Sequence, residues 1–143
     1  MDSICKQLGP HRPAGHRVCD GPVLFVFPQD GRAYGPDIHV APRRIFGTTG
    51  NHLNGAALSL AGELTSPSTR DDDYQDKSLV YGRAGVSVYL LLDMQEDRVT
   101  VFWSPSPQGY EARLSKPFGG QLHIPEPFDC TLDTTGFQRP ASS

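Results

Sequence analysis

From Leu58 to Asp93 two apolar runs flank a polar, helix-forming segment, and few small folds accommodate that order. The first run, Leu58 to Leu64, carries one carboxylate, Glu63, near its end. The cluster Thr65-Ser66-Pro67-Ser68-Thr69 then breaks it, as turn residues do at the tip of a strand. Thr69 and Asp72 have the spacing of a capping box with Asp in place of Glu. Asp71 to Asp73 put negative charge where a helix N-terminus favours it, so a helix is expected from near Arg70. Leu79, Val80 and Ala84 supply its apolar stripe, and Gly85 is positioned to end it in the left-handed conformation. Val86 to Leu92, closed by Asp93, is the second apolar run. Strand, helix, strand with both runs strongly apolar predicts parallel or mixed pairing in a buried sheet, hence an α/β or α+β architecture.

At 143 residues the chain suits one domain, able to bury roughly two-thirds of its unfolded surface. Its net charge of -3 excludes a global basic field for nucleic acid and leaves local patches open. Cys5, Cys19 and Cys130 are odd in number and widely spaced, without a C-x-x-C pair, which reads as free thiols in a reducing compartment. No apolar run reaches membrane-spanning length and the N-terminus lacks a hydrophobic signal core, so a cytoplasmic location and no membrane partner are expected.

Residues 1–22 mix Gly, Pro, His and Arg with few apolar anchors; only Ile4 to Leu8 has the makings of a helical turn. The segment reads as an irregular arm. His11, Arg12, His16 and Arg17 make it the densest positive patch, suited either to solvent or to phosphate. Val23 to Pro28 is a compact strand, Gln29 to Arg32 a turn, and Ala33 to Ala41 a second extended piece in which Pro36 forbids helix. Alternation there sets Asp37 and His39 on one face and Ile38 and Val40 on the other, with Asp37 facing away from the apolar layer. Residues 42–55 read as a loop. Beyond Asp93 the pattern turns antiparallel: Val99 to Trp103, a loop over Ser104 to Gly109, and Tyr110 to Ser115 as hairpin partner. Val99, Val101 and Trp103 share a face expected to pack as core or rim. Residues 117–137 hold two short strand-like pieces between prolines, fitting an edge strand and a tail along the body.

Two carboxylates at strand ends, Asp37 and Glu63, suit a hard cation such as Mg²⁺ (or Mn²⁺), which takes oxygen ligands and keeps several waters. A phosphodiester on the same ion would be polarised, and a nearby Lys would stabilise developing charge. Lys77 is the candidate, with Asp73 and Tyr81 on its helix face at four-residue spacing. By spacing alone, an Asp73 to Lys77 pair is usually a solvated surface ion pair worth a few tenths of a kcal/mol.

Four ordered motifs carry a resemblance. Pro36-Asp37, then GELTSPST over Gly62 to Thr69, then D-x-x-x-K-x-x-x-Y at Asp73, Lys77 and Tyr81, then RAGVSVYLLLD over Arg83 to Asp93, together resemble the Uma2 family of restriction endonucleases, in the PD-(D/E)xK nuclease superfamily. The similarity covers about residues 23–137. It implies a restriction-endonuclease-like domain over those residues, with a mixed central sheet flanked by helices, antiparallel C-terminal strands, a shortened N-terminal part (the arm 1–22) and a tail, 138–143. It implies Asp37 and Glu63 as metal ligands, a catalytic Lys77 and supporting roles for Asp73 and Tyr81. DNA is the implied substrate, and a homodimer is suggested by analogy with enzymes that cut two strands. Three departures accompany it. The superfamily Lys position two residues after Glu63 is Thr65, the family's extra N-terminal helix and hairpin have no obvious counterpart, and Gly62 sits where a β-branched residue is expected. The alternative function is a non-catalytic binding or accessory module on the same fold.

Overall fold

The computed structural model describes residues 2–18, 23–47 and 53–137. In chain order it carries helix α1 (Asp2–Leu8), strands β1 (His16–Val18), β2 (Phe25–Phe27), β3 (Arg32–Tyr34), β4 (Ile38–Pro42), β5 (Leu53–Asn54) and β6 (Leu60–Leu64), helices α2 (Arg70–Tyr74) and α3 (Asp76–Arg83), then strands β7 (Val88–Asp93), β8 (Arg98–Ser106), β9 (Gly109–Pro117), β10 (Gln121–Ile124) and β11 (Cys130–Asp133). The main sheet runs β1–β4–β6–β7–β8–β9 and is mixed: β6 and β7 are parallel and every other neighbour is antiparallel. Strands β3–β2–β5 form a second sheet and β10–β11 a hairpin. No described helix is long and apolar enough to cross a membrane.

The parallel pair explains the continuous apolar runs, because a strand at the middle of a sheet covered on both faces has no solvent side to alternate toward. All six residues of β7 are buried. Strand alternation therefore sorts side chains between two cores. Ile38, Val40, Leu60, Leu90 and Val101 point to one, which Ile4 and Leu8 of α1 and Leu122, Ile124 and Leu132 of the hairpin close off. Ala41, Ala61, Tyr89, Leu91 and Phe102 point to the other, covered by Val80 and Tyr81 of α3 and by Phe25, Phe27 and Leu53 of the second sheet. The predicted mixed sheet with flanking helices and antiparallel C-terminal strands is the observed architecture.

Several local expectations change. The stretch read as an irregular arm holds α1 and β1, because Ile4 and Leu8, four apart, bury fully against the sheet and β1 pairs with β4; residues 19–22 lie outside the described residues, as does the tail 138–143. Cys5 is disulfide-bonded rather than a free thiol, while Cys130 is free. The extended piece from Ala33 to Ala41 is two strands in different sheets, separated at Gly35-Pro36. His39 does not face solvent: the second sheet covers that face, and His39 is 1% exposed beside Phe25. The loop expected over 42–55 contains short 3₁₀ turns at Arg43–Gly47 and Gly55–Ala57 and strand β5, with 48–52 outside the described residues. The β8–β9 hairpin is longer than its alternation implied, since Ser104 to Ser106 continue the strand.

The expected single helix is broken at Gln75, where φ is -102° and ψ is -73°. Side chains take over from the backbone ladder at the two carbonyls before it. The Tyr89 hydroxyl donates to the Asp73 carbonyl (2.8 Å) and Ser78 Oγ to the Tyr74 carbonyl (2.7 Å), while the Gln75 carbonyl still accepts the Leu79 amide (3.1 Å). Thr69 forms no capping box either. Its hydroxyl donates to Asp73 Oδ2 (3.0 Å) and accepts from the Ser66 amide (3.1 Å). The far end closes as expected: Gly85 has φ of 85°, Val86 N–H donates to the Tyr81 carbonyl and Gly85 N–H to the Gly82 carbonyl, the two bonds of a Schellman motif.

Close backbone approach accounts for two glycines. A Cβ on Gly62 would stand 3.0 Å from Ile38 Cβ, so any side chain at the strand position where a β-branched residue was expected requires Ile38 to give way. At Gly82 a Cβ would fall 2.4 Å from the Gly109 carbonyl carbon, where α3 lies on the β8–β9 turn. Helix propensity alone favours Gly→Ala by up to about 1 kcal/mol. Overpacking against fixed backbone costs on the order of 1–3 kcal/mol or more. Gly82→Ala is therefore expected to lower the unfolding free energy in a urea titration; a stabilised variant would show that the α3 contact yields easily.

Candidate active site

The site grows out of strand parity. Ile38 pairs with Gly62, and one step beyond that pair Asp37 stands across from Glu63. Ile38 lies in the first core and meets Gly62 on that side, so Asp37 and Glu63 both project toward the second. Residues directly opposite on an antiparallel pair hold their Cβ atoms about 4.5–5.5 Å apart. Asp37 is exposed and its Oδ2 accepts the Leu64 amide at 2.7 Å, whereas Glu63 is 4% exposed. One carboxylate thus meets water and the other is sunk among aromatic rings.

What surrounds Glu63 comes from α2, α3 and β3. Tyr81 donates its hydroxyl to Glu63 Oε2 at 2.9 Å, and Lys77 Nζ lies 3.6 Å from Oε1. The same ammonium is 2.8 Å from Asp73 Oδ1 and 5.5 Å from the centre of the Tyr34 ring. Asp73 is 1% exposed at its side chain and Lys77 17%, which overturns the solvated-pair reading. A half-buried pair of this kind is sensitive to loss of one member, because the remaining charge has no water to turn to. The break at Gln75 separates Asp73 on α2 from Lys77 on α3.

Burial raises the Glu63 carboxyl to about 7; Lys77 and the Tyr81 hydrogen bond oppose the rise, while the charges of Asp37 and Asp73 add to it. For Lys77 burial works downward, but the hydrogen bond with Asp73 and the charge of Glu63 outweigh it and hold the ammonium above its ordinary value. Tyr81 is raised well above the usual phenol range by burial and then by Glu63, so it remains a donor. Two facing carboxyls, one of which resists ionisation, are a pair whose repulsion a cation would offset. Asp37 and Glu63 supply two oxygen donors, and no cluster of three or more His, Cys, Asp or Glu able to hold a metal occurs among the described residues. This donor set fits Mg²⁺ or Mn²⁺ with several waters retained, and does not fit a zinc site of three or four protein ligands.

The structure therefore brings together all five residues singled out in the sequence: Asp37, Glu63, Lys77, Asp73 and Tyr81. Thr65 is occupied elsewhere, its hydroxyl donating to Gln95 Oε1 (2.7 Å) and accepting from the Met94 amide (2.9 Å). Two contributors escaped sequence reasoning. Tyr34 packs its ring on Tyr81 (5.5 Å between centroids) and below the Lys77 ammonium, and nothing in its spacing links it to α3. Asp93, read only as the end of a strand, anchors α2: it accepts from Tyr74 Oη (2.7 Å), Arg70 Nε (2.9 Å) and the amides of Gln95 and Glu96.

Comparison with known proteins gives the family and the fold. The Uma2 family model, described as "Putative restriction endonuclease", matches residues 2–135, which includes the N-terminal residues left out of the resemblance above. Among solved structures, a nuclease described as "putative" and assigned to DUF820, from Anabaena variabilis ATCC 29413, is similar at 18% identity and a TM-score of 0.65, over 90% of this chain and 68% of that one. At that identity the likeness is one of fold. No curated protein matches significantly.

The raised Glu63 carboxyl gives a signed pH dependence. Between its unfolded value near 4.5 and its folded value near 7 the native state binds the extra proton, so its contribution is present below about 4.5 and lost as pH rises through about 7. His39, lowered by burial and by Arg17, acts in the opposite sense. Comparing metal-free wild type with Glu63→Gln isolates the first effect. The variant's relative stability in denaturant titrations is expected to rise by up to about 3 kcal/mol from pH 4.5 to pH 8. A flat difference would mean that Glu63 ionises freely.

Proposed function

The chain belongs to the Uma2 family, and from that premise we propose that it is a divalent-metal-dependent endonuclease that hydrolyses phosphodiester bonds in DNA. The observation that carries the reading is the Lys77 ammonium 3.6 Å from the Glu63 carboxylate, delivered by α3 although the usual Lys position is Thr65. The same ammonium is 2.8 Å from Asp73 Oδ1, so it stands between a carboxyl at the end of β6 and one on α2.

In this reading Asp37 and Glu63 hold Mg²⁺ or Mn²⁺, which supplies Lewis acidity toward the phosphodiester and a water of lowered pKa. Everything else belongs to side chains of this chain. Asp37, at the solvent edge, is the first donor a cation meets. Glu63 must shed its proton to become the second donor, and Tyr81 assists by donating to the ionised carboxylate. Asp73 holds the Lys77 ammonium by a 2.8 Å ion pair, and the Tyr34 face confines it from another side. Lys77 then stabilises the charge that develops on the phosphoryl oxygens, and because both partners keep it protonated, its role is electrostatic rather than that of a base.

Two outcomes follow. Metal affinity measured by calorimetry is expected to rise with pH through about 7, as Glu63 loses its proton; pH-independent binding would remove Glu63 from the ligand set. In a plasmid-nicking assay Glu63→Gln is expected to abolish metal-dependent cleavage, and Lys77→Gln to lower the rate on the order of 10²–10³-fold with metal affinity nearly kept. Lys77→Arg keeps the charge but not the shape, so activity retained in Arg and lost in Gln assigns the electrostatic role. If folded wild-type protein binds metal and duplex without cleaving, the accessory-module reading replaces the enzymatic one.

A further inference from the structure

Resting on the endonuclease reading, we infer that the groove between the end of α1 and edge strand β1 is a second DNA contact, which takes backbone phosphates away from the Asp37 and Glu63 carboxylates. The groove holds about 370 Å³ and is lined by Gly9, Arg12, His16, Arg17 and Arg43 among others, and none of its described lining residues is a carboxylate.

The charge of the chain is distributed in a way its total conceals. The stretches 3–18 and 38–62 contain no Asp or Glu, yet they contribute Lys6, Arg12, Arg17, Arg43 and Arg44. The remaining eight Lys and Arg share the rest of the chain with all sixteen Asp and Glu. A net charge of -3 is thus the sum of a basic pole and an acidic remainder. The fold assembles the pole from distant segments: β1 pairs His16 with Pro42, and the Arg43 amide donates to the Gly15 carbonyl at 2.8 Å, which sets Arg43 beside Arg12 and His16.

Arg12, His16 and Arg43 are positioned by contacts other than a carboxylate among the described residues. Arg12 Nη1 donates to the Gly9 carbonyl at 2.7 Å, and His16 Nδ1 lies 3.1 Å from the Ala14 carbonyl. Arg17 spreads its guanidinium over the Phe46 ring, 4.8 Å from its centre. Among the described residues no carboxylate pairs with Arg12, His16 or Arg43, and Arg12 and Arg43 are exposed. A planar guanidinium with free donors matches phosphate oxygens in charge and in shape. The groove is open and its cations are spread along it, which suits successive phosphates of a chain better than one enclosed anion. Asp37 lies five steps along the chain from Pro42, on the order of 17 Å at about 3.4 Å per residue. That is about five base steps of duplex; because α1 covers the first core while Asp37 and Glu63 face the second, a DNA molecule touching both places runs along the edge of the sheet at β1.

The test uses the full chain with Arg12→Gln/Arg43→Gln, and Arg43→Gln alone in case loss of the Arg12 bond to Gly9 disturbs folding. Binding of a labelled duplex by fluorescence anisotropy at several salt concentrations is expected to weaken, with the slope of log affinity against log salt reduced by about 2 in the double variant and about 1 in the single one. Cleavage is expected to show a raised KM with kcat kept, and lysines at both positions should restore most of the affinity. Unchanged affinity and slope in both variants would overturn the inference. Complete displacement of duplex by millimolar inorganic phosphate would overturn it too, by identifying a free-anion site. Wild-type protein that binds duplex through these arginines without cleaving would sink the endonuclease reading and leave the groove standing; normal cleavage with unchanged KM in both variants does the reverse.

Discussion

The centre of this protein depends on a buried negative charge that the fold cannot leave alone. Glu63 sits at the end of β6 on the face that looks into an aromatic core, and removing a carboxylate from water is costly unless it is paired or protonated. Three answers coexist around it. Tyr81 donates a hydrogen bond, Lys77 brings a positive charge, and the carboxyl itself is shifted so that a proton can occupy it near neutrality. None of the three is complete, since Lys77 stands at 3.6 Å and is divided between Glu63 and Asp73. That incompleteness is what the proposed site rests on. A structural pair closes on itself; here one more positive charge would relieve Glu63, and exposed Asp37 opens the route by which it can arrive.

The helical segment is shaped to the same end. A continuous helix from Arg70 to Arg83 would keep Asp73 and Lys77 on one stripe at ordinary spacing. The break at Gln75 instead makes α2 and α3 two separately anchored pieces. Asp93 holds α2 through Arg70 and Tyr74, Tyr89 holds the Asp73 carbonyl, and Val80 and Tyr81 seat α3 in the second core. Gly82 lets α3 approach the β8–β9 turn closely enough for backbone contact. The Lys77 amine is positioned by elements whose own places are fixed by burial, the condition under which a charged group retains its geometry when substrate charge develops nearby.

Much of this was legible in the sequence because it is written in local pattern. The runs Leu58 to Leu64 and Val86 to Leu92, the acidic start near Arg70 and the stop at Gly85 each follow from a rule that operates within a few residues, and each appears in the fold. Asp37, Glu63, Lys77, Asp73 and Tyr81 were found because strand tips and four-residue helix spacing are local as well. What stayed hidden depends on partners remote in sequence. Ile4 and Leu8 look like two isolated apolar residues until the sheet offers them a place. Thr69 has the spacing of a cap, but the hydroxyl finds Asp73. Gly62 weakens a strand in isolation, yet Ile38 across the ladder stands so close that any side chain there would have to displace it.

Tyr34 shows why the environment of a site is harder to read than its members. Its strand belongs to the second sheet, whose position over the first is set by Phe25 and Phe27 packing into the second core. Only that layer-on-layer contact brings the Tyr34 ring against Tyr81 and beneath the Lys77 ammonium. The same layer buries His39 between Phe25 and Phe46 with neither ring nitrogen bonded, so a residue that alternation placed beside Asp37 becomes part of the wall. Burial keeps that imidazole neutral. Two residues apart on one face of β4, Asp37 and His39 thus meet opposite surroundings, water for one and aromatic rings for the other. The boundary between them is the edge of the second sheet, and where that edge falls decides which polar residues of the strand are available for chemistry.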